Sequence, residues 1–242
     1  MSLSVRLEWG PVGAAAVTAG CDVAVVVDVL SFTTCLSVAA DRGVEVWPWA
    51  RVDDHARELA RSRDAVLAVR RAEAGPGQVS LSPATIRAAP VLRRLVLPSP
   101  NGSTISATLA ERGVPVVGAS LRNRVAVARW LRALGGDPVV AVVAAGERRS
   151  DGSLRPAVED LWGAGAVISG LVAGGDVTLT PEARSAAAAF DDVEGDLPAA
   201  LHACASGREL DDLGFPHYVD VAAEIDLGTA VPVLRAGAFA AN

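Results

Sequence analysis

Polar residues that could take part in catalysis follow an apolar segment near the N-terminus. Segment 23–29 (VAVVVDV) is typical of a strand covered on both faces, and Asp28 comes near its end. A carboxylate there is costly unless it is hydrogen-bonded, paired or bound to a metal. Ser31, Thr33 and Thr34 follow at the start of a predicted helix, where hydroxyl and free N–H groups can bind an anion. The alternative is that Asp28 and Ser31 only cap that helix.

A second candidate lies where another predicted strand passes through a turn into a helix. Gly102 allows the backbone to approach a ligand closely. Ser103, Thr104 and the N-terminus of the helix supply hydrogen-bond donors. Asn101-Gly102 is also an ordinary turn sequence, so the functional interpretation depends on its place between a strand and a helix.

A third group consists of acidic residues. Glu147 directly follows a predicted strand, and Glu159 and Asp160 lie in the first turn of the next predicted helix. Carboxylates in a first turn are favourable to the helix dipole without any further role. The functional interpretation is that some of them, together with Asp28, hold Mg²⁺. This ion prefers oxygen ligands and usually takes one or two carboxylates, phosphate oxygens and waters.

Composition excludes several classes of function. The 242-residue chain carries a net charge of −6, which argues against nucleic acid as a partner. All 22 basic residues are arginine, so neither a Walker-A lysine nor a lysine Schiff base is possible. The three cysteines form no CxxC pair and the three histidines are dispersed, which predicts reduced thiols and no zinc site. There is no long apolar run and no signal-peptide pattern, so we expect a soluble, cytoplasmic protein that does not bind membranes.

The elements that must position these residues alternate between strand and helix, which predicts an α/β fold with a mainly parallel sheet and helices on both faces. In such sheets, ligands bind beyond the carboxyl ends of the strands. Strands are predicted at 3–9, 23–29, 44–47, 65–69, 93–97, 114–117 and 138–144. Helices are predicted at 32–41, 52–62, 103–112, 121–134 and 158–172, with a long loop at 146–157.

The C-terminal part has a different pattern. We predict a division into an α/β core at 1–173 and a helical part at 174–242 packed on it, or one continuous domain. Pro232 favours an edge position for a returning strand at 230–234, because proline cannot donate a backbone hydrogen bond. The helices of this part are predicted at 181–190, 196–206 and 217–224, the last beginning near Pro216.

Taken in order, these motifs resemble the 2-phosphosulfolactate phosphatase family of coenzyme M biosynthesis. The resemblance covers nearly the whole chain. Its motifs in this sequence are Asp28-Val29-Leu30 with Thr33-Thr34, Pro100-Asn101-Gly102-Ser103, Gly118-Ala119-Ser120-Leu121-Arg122-Asn123, Glu159-Asp160 with Ala164-Gly165-Ala166, Ser206-Gly207-Arg208-Glu209-Leu210 with Gly214, and Val231-Pro232-Val233.

The sequence departs from the family pattern at some positions. Ser31 stands where the family has an arginine, and Leu81 stands where it has an asparagine, within the divergent stretch 69–86. The alternatives are therefore a phosphatase of a different phosphorylated acid, or an inactive anion-binding member of the family. The first motif also resembles that of haloacid-dehalogenase phosphatases, but Leu30 occupies the place of their second aspartate.

The resemblance implies a three-layer α/β/α phosphatase that uses Mg²⁺ to hydrolyse 2-phosphosulfolactate, a small anionic substrate. A homodimer is a further expectation. The predicted catalytic residues are Asp28, Glu159 and Asp160, and the predicted metal ligands are Asp28, Glu147, Glu159 and Asp160. The predicted substrate-binding residues are Thr33, Thr34, Asn101, Gly102, Ser103, Thr104, Asn123, Arg70 and Arg71, the arginines gripping a carboxylate or sulfonate.

Overall fold

Strands and helices alternate along most of the chain in the computed structural model, which describes residues 3–242. The strands are β1 (Leu3–Trp9), β2 (Val23–Val27), β3 (Glu45–Trp49), β4 (Val66–Leu67), β5 (Arg94–Pro98), β6 (Val116–Ala119), β7 (Val139–Ala144), β8 (Glu147–Arg148), β9 (Leu154–Arg155), β10 (Val177–Leu179), β11 (Pro232–Arg235) and β12 (Ala238–Ala241). The helices are α1 (Gly10–Val17), α2 (Phe32–Asp41), α3 (Asp54–Arg63), α4 (Pro83–Ala88), α5 (Gly102–Glu111), α6 (Arg124–Ala133), α7 (Val158–Ala173), α8 (Pro181–Val193), α9 (Leu197–Ala203), α10 (Ala205–Asp212) and α11 (Pro216–Ala222).

Ten of the strands found in residues 3–242 form one mainly parallel sheet, and β8 and β9 form a separate hairpin. The order in the sheet is β10-β1-β7-β2-β6-β11-β12-β3-β5-β4. The parallel strands β10, β1, β7, β2 and β6 are called the first strand group here, and the parallel strands β3, β5 and β4 the second strand group. The hairpin of β11 and β12 connects the two groups.

The two strand groups run in opposite directions. β11 is antiparallel to β6, β12 is antiparallel to β11, and β3 is antiparallel to β12. Helix α5 nevertheless packs against both β2 and β3, although these strands lie four places apart in the sheet. The twisted sheet therefore wraps around α5. This wrapping brings the chain that follows β5 close to the chain that follows β2.

Helices cover both faces of the sheet, which gives the expected three layers. On one face the buried side chains of β1, β2 and β7 pack with α6, α7, α8 and the C-terminal helices. On the other face the strands of both groups pack with α1, α2, α4 and α5. Helix α7 approaches the sheet closely at Gly163, where an added Cβ would lie 2.6 Å from Val29 Cγ2. A smaller cluster joins α3 to the second strand group.

Most predicted elements are confirmed, with shifts of a few residues at their ends. The segment predicted as helix 121–134 begins with a 3-10 helix at Leu121–Asn123, and the segment 196–206 contains all of α9 and the beginning of α10. The loop 146–157 contains the β8–β9 hairpin. Helices α1 and α4 and strands β10 and β12 were not predicted.

The predicted edge position of the C-terminal strand is wrong. Strand β11 lies inside the sheet, between β6 and β12. Pro232 is its first residue, where a missing N–H group is tolerated. The predicted division at 173/174 stays a prediction, although β11 and β12 are part of the sheet formed by residues 3–173 and β10. Among the helices of residues 3–242, none is both long and apolar enough to cross a membrane.

Candidate active site

Asp28 follows the last residue of β2 and is only 6% exposed. Its Oδ1 accepts a hydrogen bond of 3.2 Å from the backbone N–H of Phe32, the first residue of α2. Its Oδ2 accepts one of 2.9 Å from the N–H of Gly102, the first residue of α5. One carboxylate therefore holds the N-termini of two helices. Asp28 thus caps α2, as the alternative interpretation proposed. Its carboxylate also joins α2 to α5, two distant parts of the chain.

Gly102 is the residue that makes this junction possible. A Cβ added to Gly102 would lie 2.8 Å from Asp28 Oδ2 and 2.4 Å from Phe32 Cδ1. Both distances are too short for a side chain. The absence of a Cβ therefore lets the backbone N–H approach the buried carboxylate, whereas the approach to a ligand expected from the sequence stays a prediction.

Asp160, in the first turn of α7, holds two further backbone groups. Its Oδ1 accepts from the N–H of Val29 at 2.7 Å, and its Oδ2 accepts from the N–H of Gly146 at 2.8 Å. It thereby ties the chain after β2 to the chain after β7. The role of Gly146 was not predicted. Its φ of +66° and its place directly after an apolar strand are the signals that could have revealed it.

Glu159 is buried next to Asp160 in the chain, and its carboxylate neighbours the thiol of Cys204. It is 3% exposed, and its Oε2 has no hydrogen-bond partner among the described residues. Burial and the neighbouring Glu159 raise the pKa of the Cys204 thiol to about 12. Cys21, Cys35 and Cys204 are all free thiols.

Glu147 and Asn101 meet at the surface of the same region. Asn101 Nδ2 donates a hydrogen bond of 2.8 Å to Glu147 Oε1, and both residues are half-buried. The same carboxylate oxygen accepts from the N–H of Arg148 at 2.7 Å. Because Gly102 follows Asn101 and contacts Asp28, Glu147 and Asp28 lie on the same side of the molecule. Their charges interact, and Glu147 contributes to raising the pKa of Asp28.

Arg71 and Arg70 differ in position. Arg71 is half-buried, donates to Ser31 Oγ at 3.0 Å and to the Leu81 carbonyl at 2.8 Å, and packs over the ring of Tyr218. Its positive charge lowers the pKa of Asp28, against the larger effect of burial. Arg70 is exposed and lies 3.6 Å from Glu73. Position 31 is thus occupied by a serine that contacts the guanidinium of Arg71.

The predicted anion-binding hydroxyl groups mostly donate to the backbone. Thr33 donates to the carbonyl of Asp28 at 2.9 Å, and Thr34 donates to the carbonyl of Val29 at 2.7 Å. Both threonines are fully buried. Ser103 and Thr104 donate to backbone carbonyls in the same way, at 3.2 Å and 2.8 Å. These hydroxyl groups therefore hold the turns after β2 and β5.

Asn123 lies apart from this arrangement. It is fully buried at the end of the 3-10 helix after β6. Its Oδ1 accepts from the N–H of Ser120 at 2.8 Å, and its Nδ2 lies 3.4 Å from the carbonyls of Gly118 and Ala230. These contacts close the turn after β6. They leave the substrate-binding role of Asn123 as a prediction without a contact to support it.

Buried negative charge is the main electrostatic feature of the site. Burial raises the pKa of Asp28 from 3.8 to about 6, although the two backbone N–H groups lower it. Burial and the neighbouring Asp28 and Glu159 hold the pKa of Asp160 well above its ordinary value. A cation in this region would relieve the repulsion between the carboxylates.

The carboxylates do not converge on one point. In residues 3–242, no cluster of three or more acidic, histidine or cysteine side chains has the geometry of a metal site. A magnesium ion needs only one or two carboxylates when phosphate and water supply the remaining oxygens. Glu147 fits that smaller set, since its hydrogen bonds go to Oε1, whereas both oxygens of Asp28 and both oxygens of Asp160 already accept from backbone N–H groups.

Known proteins resemble this chain over most of its length. The model of the family described as 2-phosphosulpholactate phosphatase matches residues 15–237. The chain belongs to this family. A probable 2-phosphosulfolactate phosphatase of Deinococcus radiodurans is 31% identical over 220 residues, which is 89% of each chain. One of Thermus thermophilus is 31% identical over 217 residues, which is 88% of each chain.

Membership of the 2-phosphosulpholactate phosphatase family makes the protein a phosphoric monoester hydrolase. The resemblance read from the ordered motifs is thereby confirmed. The individual site residues remain predictions, and the structure divides them by position. Asp28, Gly102, Asp160, Asn101, Glu147 and Arg71 surround one region, while Glu159 neighbours Cys204, Asn123 lies in the turn after β6 and Arg70 is exposed beside Arg71.

Proposed function

We propose that this protein hydrolyses 2-phosphosulfolactate to sulfolactate and phosphate in the cytoplasm, with the aid of Mg²⁺. The family and the names of both relatives support this substrate. Three free thiols agree with a reducing compartment. The observation that carries the proposal is the Asp28 carboxylate, buried where two helix N-termini meet and with a pKa raised to about 6.

Asp28 suits the role of a general base. A base with a pKa near the working pH combines a useful deprotonated fraction with effective proton transfer. Asp28 would take a proton from a water molecule as the water oxygen bonds to phosphorus and the bond from phosphorus to the ester oxygen breaks. The same proton would then pass to the departing alkoxide, which leaves as the hydroxyl group of sulfolactate. In an alternative, Asp28 itself attacks phosphorus and water then hydrolyses the acyl phosphate.

The N-terminus of α5 is the place proposed for the phosphoryl group. The first N–H groups of a helix have no partner within the helix and bind phosphate favourably. Asn101 lies directly before this helix and its amide is half-buried. Glu147 is the residue proposed to hold Mg²⁺, which would neutralise charge on the phosphoryl oxygens. Asp160 would keep Val29 and the chain around Glu147 in position.

Phosphate release from a panel of esters tests the proposal. The panel contains 2-phosphosulfolactate, 2-phospholactate, phosphoglycolate and phenyl phosphate, each with Mg²⁺ and with EDTA. We expect release that requires Mg²⁺ and is fastest with 2-phosphosulfolactate. If release depends on Mg²⁺ but is fastest with another ester, the proposed substrate is wrong and the proposed phosphatase reaction stands. No release from any ester by folded protein would refute the proposal and favour an anion-binding role.

A further inference from the structure

A pocket of about 350 Å³ lies beside the site, at the carboxyl ends of the second strand group. Arg51 comes from the chain after β3, Arg70 and Arg71 come from the chain after β4, and Pro98 and Pro100 come from the end of β5. These three strands are adjacent and parallel. The carboxyl edge of parallel strands is the usual place for a ligand in an α/β sheet.

The lining of this pocket is positively charged. It includes three arginines and no carboxylate. Arg51 lies 3.5 Å from Asp53 and Arg70 lies 3.6 Å from Glu73, but the side chains of both arginines are exposed to solvent, so these pairs compensate the charge weakly. Arg71 forms no ion pair within the part of the chain that the structure describes, and its hydrogen bonds go to uncharged oxygens. The uncompensated charge of Arg71 therefore favours an anion as the ligand of this pocket.

Arg71 connects the pocket to the candidate active site. Its Nη2 lies 3.0 Å from Ser31 Oγ, and its charge acts on the buried Asp28. Pro100, which also lines the pocket, directly precedes Asn101. A substrate whose phosphoryl group lies at the N-terminus of α5 would extend past these residues into the pocket.

We infer that this pocket binds the acid groups of the substrate that are not transferred, and that Arg51 determines specificity together with Arg71. Arg71 contacts the acid group nearer the phosphoryl group, and Arg51 contacts the farther one. The pocket thereby selects phosphate esters that carry at least one further carboxylate or sulfonate within a few carbon atoms. This inference rests on the proposed function, because it takes the phosphoryl group to lie near Asp28. Arg51 has no family motif around it and was not predicted from the sequence.

Apolar side chains supply the rest of the lining. Val52, Val69 and Leu81 give the pocket an uncharged wall beside the arginines. Guanidinium groups bind carboxylate and sulfonate oxygens through paired hydrogen bonds, and an apolar wall strengthens such bonds by excluding water. The short carbon chain of a phosphorylated acid would lie against this wall.

The test compares how variants discriminate between substrates. The variants are Arg51→Met and Arg71→Met, with Arg61→Met as a control, since Arg61 is exposed on α3 and pairs with Glu58. The substrates are 2-phosphosulfolactate, with two further acid groups, 2-phospholactate, with one, and phenyl phosphate, with none. The measured quantity is the ratio of kcat/KM for each acid ester to kcat/KM for phenyl phosphate.

We expect both ratios to fall about tenfold or more in Arg71→Met, since each charge-assisted hydrogen bond contributes on that scale. In Arg51→Met, the ratio for 2-phosphosulfolactate should fall similarly and that for 2-phospholactate should fall less. Arg61→Met should match the parent. Ratios that stay at the parent value in both pocket variants would overturn the inference and leave Arg51 as a solvated surface residue.

A binding measurement separates this inference from the proposed function. If the parent releases no phosphate from any ester, the proposed function fails, and calorimetric titration with sulfolactate then tests the pocket alone. Binding by the parent that weakens in Arg51→Met and not in Arg61→Met would support the anion pocket. Equal binding by all three proteins, or no binding by any, would refute it.

Discussion

The two strand groups carry opposite charges at their carboxyl ends. The first strand group is followed by Asp28 and Glu147, and Asp160 lies between the chains after β2 and β7. The second strand group is followed by Arg51 and Arg71, which line a pocket without carboxylates. The acidic end is buried and bound by backbone N–H groups, whereas the arginine end is open.

This difference assigns the reaction and the recognition of the substrate to different strand groups. Buried carboxylates with raised pKa values suit proton transfer and cation binding, and arginines at an open pocket suit selection of an anion. The two ends belong to strands of opposite direction, and they meet because Gly102, after β5, contacts Asp28, after β2. The site therefore depends on how the sheet wraps as much as on any single loop.

The largest expected effect on activity comes from removing the Asp28 carboxylate after the first strand group. Asp28→Asn keeps the side-chain volume and removes the proposed base, so kcat for phosphate release should fall by about 10²–10⁴-fold. Circular dichroism should show the parent fold. Asp192→Asn, at an exposed position of α8, is the control and should keep the parent rate. A folded Asp28→Asn protein with the parent rate would contradict a catalytic role for this residue.

A smaller effect is expected from breaking the junction between the two groups. Gly102→Ala would place a methyl group 2.8 Å from Asp28 Oδ2, and the forced shift should destabilise the fold by about 1–3 kcal/mol. Activity should fall as well, because α5 moves relative to Asp28. Urea unfolding and phosphate release measure the two effects. Gly195→Ala meets no atom within 4 Å and serves as the control. Equal unfolding free energies and equal rates of phosphate release in the two variants would show that Gly102 and Asp28 are not in tight contact.

The smallest expected effect is on the pH dependence of stability, which tests the charge of the acidic end against that of the arginine end. The pKa of Asp28 is raised to about 6 in the folded protein, so between about pH 4 and 6 the folded state binds more protons than the unfolded one. The free energy of unfolding contributed by Asp28 therefore decreases as pH rises through this range. Asp160, with its raised pKa, acts in the same direction.

Urea unfolding at several pH values measures this contribution. The slope of unfolding free energy against pH should be less negative in Asp28→Asn than in the parent, and the parent slope should persist in Asp192→Asn. Identical slopes in all three proteins would mean that the Asp28 carboxyl group titrates equally in the folded and unfolded states.

Local patterns predicted most of the elements, because the signals for a strand such as 23–29 act over a few residues. Pairing between distant strands was less predictable. Pro232 favoured an edge, yet the strand begins at that residue and needs no N–H group there. Strand β10 has three residues between a glycine-containing turn and Pro181, too few to show a period.

The sequence predicted candidate site residues from their type and position, and it could not predict their contacts. Asp28 was chosen because it comes near the end of a predicted strand, Gly102 because it lies between a strand and a helix, and Asp160 because it lies in the first turn of a helix. Thr33 and Thr34 were expected to face a ligand, but their hydroxyl groups donate to the backbone of the preceding turn. The acceptor to which a hydroxyl group donates depends on the geometry of the turn, and sequence patterns do not specify that geometry. The association of Arg51 with Arg71 depends on the neighbouring positions of β3, β5 and β4 in the sheet.

The β11–β12 hairpin has a consequence for how the protein is made. Only this hairpin joins the two strand groups within the sheet of residues 3–242, and its residues follow every other strand in the chain. During translation, β6 and β3 therefore have unpaired edges until residues 232–241 leave the ribosome. Open edges invite pairing with other chains, and pairings between distant segments form slowly. The two strand groups therefore cannot join into one sheet before residues 232–241 have been synthesised.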